Sequence, residues 1–191
     1  AEAVDAYKKA IALSPKDVEA HFNAGNALKR LGRLDDAEVS YKKAISLKPD
    51  YADAHNNLGN TYQALERLSE AEACYRNLIS LKPDSIEAHN NLGNTLRSLG
   101  RLEEAETNYE QAISLQPDYV DAYNNLGVTL QDLGRLNEAR ERYGQAIALN
   151  STFVEAHNNL GNTLLLMGEI DEAEASYQQA IILKSDFVEA H

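Results

Sequence analysis

An all-α solenoid of stacked helical hairpins is the fold class this sequence predicts, and three observations predict it. The first is a strict period. Gly25, Gly59, Gly93, Gly127 and Gly161 recur every 34 residues, as do Pro15, Pro49, Pro83 and Pro117. Tyr7, Tyr41, Tyr75, Tyr109, Tyr143 and Tyr177 keep the same interval. A fixed period of this length marks repeated supersecondary units. The second is composition: between these residues the chain is rich in Ala, Leu, Glu, Lys and Gln, all good helix formers. The third is turn chemistry. Leu31-Gly32-Arg33-Leu34 puts glycine where a left-handed residue ends a helix. Lys48-Pro49-Asp50 ends the next helix, because the residue before proline is pushed out of the helical region.

With Val18 as position 1, residues 1–17 are the second-helix half of a preceding repeat. Five complete repeats follow at 18–51, 52–85, 86–119, 120–153 and 154–187, and 188–191 begin a further one. Positions 2–14 form the first helix of each repeat and positions 18–31 the second. On a helical wheel, positions 3, 7, 10, 11 and 14 share one side; in the third repeat they are Ala88, Leu92, Thr95, Leu96 and Leu99, the inward stripe. Glu87, Asn90, Asn91, Asn94 and Ser98 lie opposite. The second helix has an apolar stripe at Ala105, Tyr109, Ala112 and Ile113. Its first turn carries acidic pairs such as Asp35-Asp36 and Glu103-Glu104, which suit the positive end of the helix dipole. One hairpin cannot bury these stripes, but stacked neighbours can. The second repeat departs at its turn: Glu66 stands where the others have Gly32, Gly100, Gly134 and Gly168, so a strained left-handed glutamate is expected there.

The pattern resembles the tetratricopeptide (TPR) repeat over the whole chain. In the second repeat Leu58-Gly59, Tyr62, Ala71, Tyr75 and Pro83 fall where that family places its signature residues. Position 27, small in the family, is Ala44, Ala112, Ala146 and Ala180, and only Leu78 departs. The resemblance implies a right-handed superhelix whose concave groove is lined by the first helices, and a protein–protein interaction role.

Composition narrows the function. The 191 residues hold 18 Lys and Arg against 30 Asp and Glu, a net charge of −12, which argues against a nucleic-acid partner. Cys74 is the single cysteine, so no internal disulfide or thiolate metal cluster is expected. The longest apolar run, Leu164-Leu165-Leu166-Met167, falls far short of a membrane span. No basic segment leads into an apolar core at the N-terminus, so no signal peptide and a cytoplasmic location are expected. No phosphate loop, nucleophile elbow or Cys/His pair appears; neither catalysis nor a cofactor or metal is expected.

The candidate site is a set of asparagine columns. Position 6 is Asn23, Asn57, Asn91, Asn125 and Asn159; position 5 is Asn56, Asn90, Asn124 and Asn158; position 9 is Asn26, Asn60, Asn94 and Asn162. Asparagine is a mediocre helix former, so a face of them needs a reason. A carboxamide both donates and accepts, so the columns suit the backbone of an extended peptide in the groove, or bonds to the neighbouring repeat that stiffen the array. The columns resemble the asparagine ladder of O-linked N-acetylglucosamine transferases, which implies gripping of protein segments. Lying across from the apolar stripe, the ladder is expected to add little stability. Departures from the repeat extend the site: Phe22 replaces Asn at position 5 of the first repeat, near Lys29 and Arg30, and Leu165 and Leu166 are apolar at positions 12 and 13 of the last. Val128 interrupts the position-9 column.

The histidine column His21, His55, His89, His157 and His191 has a whole repeat between members, which suits packing rather than a metal. The acidic column at position 2, from Glu19 to Glu189, compensates helix dipoles and favours basic over acidic ligands. Two further readings belong to other classes: the substrate-recruiting array of a larger glycosyltransferase or sulfotransferase, and a scaffold that self-associates end to end.

Overall fold

A computed structural model describes residues 2–189, without the side chains of residues 2, 3, 5, 8 and 185–189. The described residues form eleven α-helices and no strand, in two compact units, Ala1–Leu99 and Gly100–His191.

The first unit holds α1 (Glu2–Leu13), α2 (Val18–Arg30), α3 (Leu34–Leu47), α4 (Ala52–Ala64), α5 (Leu68–Leu81) and α6 (Ile86–Ser98). Each helix starts and stops for a local reason. Asp17 caps α2 by accepting from the Ala20 amide at 3.0 Å. The α2–α3 turn passes through Gly32 at φ 71°; in the α4–α5 turn Glu66 takes the same left-handed conformation at φ 58°. Consecutive helices pack against each other along the unit. The core is a column of small residues and tyrosine rings: Ala37, Tyr41, Ala44, Ala71 and Tyr75 are all 0% exposed. Each ring lies against a glycine of the preceding helix. A Cβ on Gly25 would stand 2.6 Å from the Tyr41 ring, and one on Gly59 2.7 Å from Tyr75. The period-34 glycines therefore mark the closest approach of two helices, where no side chain fits. Burying a ring of about 150 Å² contributes roughly 4 kcal/mol before entropy is counted.

The second unit holds α7 (Leu102–Leu115), α8 (Val120–Asp132), α9 (Leu136–Leu149), α10 (Val154–Met167) and α11 (Ile170–Glu189). It repeats the same packing, with Gly127 against Tyr143 and Gly161 against Tyr177. Thr129 and Thr163 are fully buried and satisfy their hydroxyls on the carbonyls of Asn125 and Asn159, one turn back. The repeat pattern predicts a break before 188–191, yet α11 runs on to Glu189. Ser185 stands there in place of the prolines, as Ser151 does where α9 ends. Beside Ser151 the Asn150 side chain accepts from the Thr152 amide and forms the turn, but Lys184 before Ser185 offers no such acceptor. His191 lies outside the described residues, as does the side chain of Glu189.

Candidate functional site

The ladder is built from paired bonds to a shared oxygen. In the first unit Tyr41 Oη donates to Asn26 Oδ1 at 2.8 Å, and Asn57 Nδ2 from the next repeat donates to the same oxygen at 2.8 Å. One repeat on, Tyr75 Oη donates to Asn60 Oδ1 at 2.6 Å and Asn91 Nδ2 donates to it at 3.3 Å. Asn26 and Asn60 thus spend their oxygens inside the fold and keep their NH₂ groups. Asn57 and Asn91 each give one N–H to the neighbouring repeat and keep their oxygen. In the second unit Tyr177 Oη donates to Asn162 Oδ1 at 2.7 Å. Val128 offers no acceptor, and Asn159 Nδ2 turns to Asn124 Oδ1 at 3.0 Å, one turn earlier on α8.

This geometry corrects the expectation that the ladder adds little stability. Position 9 holds a buried tyrosine hydroxyl and joins adjacent repeats, so only position 6 is close to dispensable. Exposure divides the columns further. Asn158 and Asn162 are exposed, while Asn23, Asn26, Asn56, Asn57, Asn60, Asn91, Asn94, Asn125 and Asn159 are half-buried. Asn90 and Asn124 are buried, which sets them into the packing rather than on an open face.

The flanking candidates are equally varied. Phe22 is half-buried in an aromatic cluster, 4.9 Å from the Tyr51 ring and 6.0 Å from Tyr41. Lys29 is half-buried; burial pushes its ammonium below the ordinary value, and the Glu87 carboxylate on α6 partly opposes this. Arg30 is exposed. Leu165 and Leu166 are 54% and 62% exposed on α10.

The histidine column has a bonding role. His21, His55 and His89 place Nε2 at 3.0, 2.8 and 3.0 Å from the carbonyls of Pro15, Pro49 and Pro83, tying each helix start to the preceding turn. His157 does the same on Ser151, and Tyr123 donates to Pro117. The exposed position-2 carboxylates also join repeats: Tyr51 Oη donates to Glu19, and Asn56 Nδ2 to Glu87. Burial pushes the Cys74 thiol up to about 11, away from the reactive thiolate.

Sequence reasoning passed over two sets of residues. Gln63 Oε1 lies 2.7 Å from Tyr75 Oη while its Nε2 donates to Thr95 Oγ1 at 2.9 Å, and the Gln131 side-chain amide lies 2.8 Å from Thr163 Oγ1, so position 12 bridges to position 10 of the next repeat. On the second helices, position 21 pairs with position 16 of the following repeat: Glu38 with Arg67 at 2.6 Å, and Glu106 with Arg135 at 2.7 Å. In the last pair the signs are exchanged, Arg140 meeting Glu169 at 3.2 Å. That exchange is the signal in the sequence that finds the pairing. Glu38 also accepts from Lys42 and Tyr62. Burial pushes its carboxyl up, but the bonds from Lys42, Arg67 and Tyr62 outweigh this and hold it below the ordinary value.

No helix among the described residues is long and apolar enough to cross a membrane. No group of three or more His, Cys, Asp or Glu among them could hold a metal ion.

No curated protein matches the chain. Among solved structures it is similar to MamA, with 25% identity and a TM-score of 0.81 over 86% of this chain and 96% of that one. It shares a fold with YrrB, described as a TPR protein with an unusual peptide-binding site, at 24% identity and TM-score 0.77 over 96% and 95% of the two chains. It also shares a fold with PilF of Pseudomonas aeruginosa, at 23% identity and TM-score 0.77 over 88% and 78%. The TPR repeat model matches residues 1–32, 25–66, 93–134 and 129–168, and tetratricopeptide repeat models match 52–85, 74–107 and 154–187. On those matches the chain belongs to the tetratricopeptide repeat family.

Proposed function

We infer that the chain is a protein–protein interaction module whose asparagine faces hold an extended segment of a partner. The observation that carries this is the division of labour in each carboxamide. Tyr41 and Tyr75 fix Asn26 and Asn60 by their oxygens, which leaves half-exposed NH₂ groups pre-oriented. The neighbouring Asn57 and Asn91 keep an oxygen beside them. A donor and an acceptor per repeat match the carbonyl and amide of a peptide backbone, whatever its side chains. Helices packed about 8–10 Å apart and an extended chain rising about 3.3 Å per residue give one rung for roughly every third residue of the partner. The likeness of the columns to the ladder of O-linked N-acetylglucosamine transferases supports the same reading. Exposed Glu19, Asp53, Glu87, Asp121 and Glu155 favour a basic segment.

Affinity capture with the whole chain as bait tests this, repeated with Asn57, Asn91 and Asn159 changed together to Ala. Captured partners should be lost while the helical circular-dichroism spectrum persists. Unchanged capture by the folded triple variant would refute the ladder as the binding surface.

A further inference from the structure

Two repeat junctions of the first unit differ at one contact between their first helices. At the second junction the position-5 carboxamide of Asn56 donates to Glu87, the position-2 carboxylate of the following repeat, at 3.2 Å. The equivalent pair at the first junction is Phe22 and Asp53, so the amide donor is lost and a ring takes its place. Exposed Asp53 then has only Lys82, at 3.7 Å, as an ionic partner among the described residues. Phe22 also meets an aromatic residue at position 34 of its own repeat: its ring centroid lies 4.9 Å from that of Tyr51, and both rings are half-buried. Tyr51 Oη donates to exposed Glu19, 3.0 and 3.1 Å from its two oxygens, so a second carboxylate borders the pair. Burial, that bond and the charges of Glu19 and Asp53 push the Tyr51 hydroxyl up to about 12, which keeps it a donor. The rings already hold one cation: the exposed Lys48 ammonium lies 5.0 Å from the Tyr51 centroid. Lys48 has no carboxylate partner among the described residues, whereas its repeat equivalent Lys82 turns to Asp53.

We propose that Phe22, Tyr51, Glu19 and Asp53 form a subsite for an arginine side chain of the partner segment. The proposal rests on the reading of the asparagine faces as a partner-binding surface, and it names the side chain selected beside the first repeat. A guanidinium is flat, so it stacks on the Phe22 ring while its N–H groups donate to the Asp53 carboxylate. Glu19 adds negative charge, and its bond to Tyr51 holds the second ring in place. An asparagine at position 5 would spend its N–H on the acid, as Asn56 does, and would offer no ring. A neutral side chain leaves the carboxylates without a cation. A lysine ammonium brings no flat face to Phe22 and competes with Lys48 for Tyr51. Lys48 covers the Tyr51 ring until arginine displaces it.

The probe is N-acetyl-arginine N-methylamide, titrated into the whole chain and followed by the NMR signals of the Phe22 and Tyr51 rings. The signals should shift saturably, and the matching citrulline, leucine and lysine amides should bind about threefold or more weakly. Phe22→Asn installs the residue that the other repeats carry, so the helical circular-dichroism spectrum should persist while saturable binding is lost. Asp53→Asn should weaken arginine binding several-fold, and Lys48→Ala should strengthen it. In the triple variant of Asn57, Asn91 and Asn159 the arginine shifts should persist. The two readings therefore fail separately, the ladder on partner capture and the subsite on the amide titration. Absence of a saturable shift overturns the proposal. So does equal binding of the citrulline or leucine amide, which removes charge from the recognition, or of the lysine amide, which removes the flat contact. Arginine shifts that survive Phe22→Asn would seat the cation elsewhere and overturn it as well.

Discussion

Asn26→Ala should destabilise the first unit far more than Asn57→Ala, although both residues belong to the same ladder. Asn26 accepts from the hydroxyl of Tyr41, a residue 0% exposed, and from Asn57. Leaving a buried hydroxyl without an acceptor costs about 1–3 kcal/mol, and losing the half-buried amide bond about 0.5–1.5 kcal/mol more. Alanine returns up to about 0.7 kcal/mol of helix propensity. The net loss is about 1–4 kcal/mol, and at about 2–4 °C per kcal/mol for a chain of this size the melting temperature falls by several degrees. Asn57→Ala forfeits only the one amide bond and gains the same propensity, so it should stay within about 1 kcal/mol of the parent. A double-mutant cycle with Tyr41→Phe isolates the shared term: the double variant should be less destabilised than the sum of the singles by about 0.5 kcal/mol or more. The assay is chemical denaturation followed by circular dichroism, fitted with a nearest-neighbour repeat model because each repeat touches only its neighbours. Equal effects of Asn26→Ala and Asn57→Ala, with no coupling to Tyr41, would refute the shared-oxygen argument.

Glu66→Gly should raise the melting temperature by a few degrees, since a left-handed non-glycine residue costs about 1–2 kcal/mol; a decrease in a thermal melt would contradict this. Gly59→Ala and Gly144→Ala should move stability in opposite directions. The first drives a Cβ to 2.7 Å from the Tyr75 ring and costs about 1–3 kcal/mol of overpacking, while the second meets nothing within 4 Å and gains about 1 kcal/mol of propensity. Glu38→Gln should flatten the acid limb of the stability curve. The folded Glu38 carboxyl lies below its ordinary 4.5, so its contribution is present above that pH and lost as pH falls through the lowered folded value. Denaturation midpoints between pH 3 and pH 6 check it; parallel acid limbs for parent and variant would contradict it.

Much of this was legible in the period alone. Gly25, Tyr41 and Pro49 each recur because one spatial requirement recurs, and a wheel drawn through Leu92, Thr95 and Leu96 finds the buried side without coordinates. Glu66 was legible for the same reason: four glycines at that position state the backbone conformation that the fifth residue adopts. The division of labour within the ladder was not. A wheel places Asn57 and Asn60 on one face, but it does not carry the tyrosine of the second helix, 15 residues on from Asn60, that claims one oxygen and not the other. The uninterrupted α11 was missed because the repeat supplied an expectation of a turn that Lys184-Ser185, with neither a proline ring nor the turn-forming carboxamide of Asn150, does not enforce.

The exchanged pair Arg140–Glu169 gives the repeats an order. Where Glu38 meets Arg67 and Glu106 meets Arg135, one repeat could in principle follow another without electrostatic penalty. The repeat at 120–153 is different. Its position-21 residue is the cation Arg140, so only a successor with an acid at position 16 fits behind it, and Glu169 is the one acid among Arg33, Arg67, Arg101, Arg135 and Glu169. An in-register duplication that inserted 52–85 after 120–153 would preserve every glycine, proline and tyrosine of the period. It would also set Arg140 against a second arginine at that junction. Recombination between such similar segments is therefore not neutral: charge at two positions works as an address, and it forbids rearrangements that the hydrophobic pattern would accept.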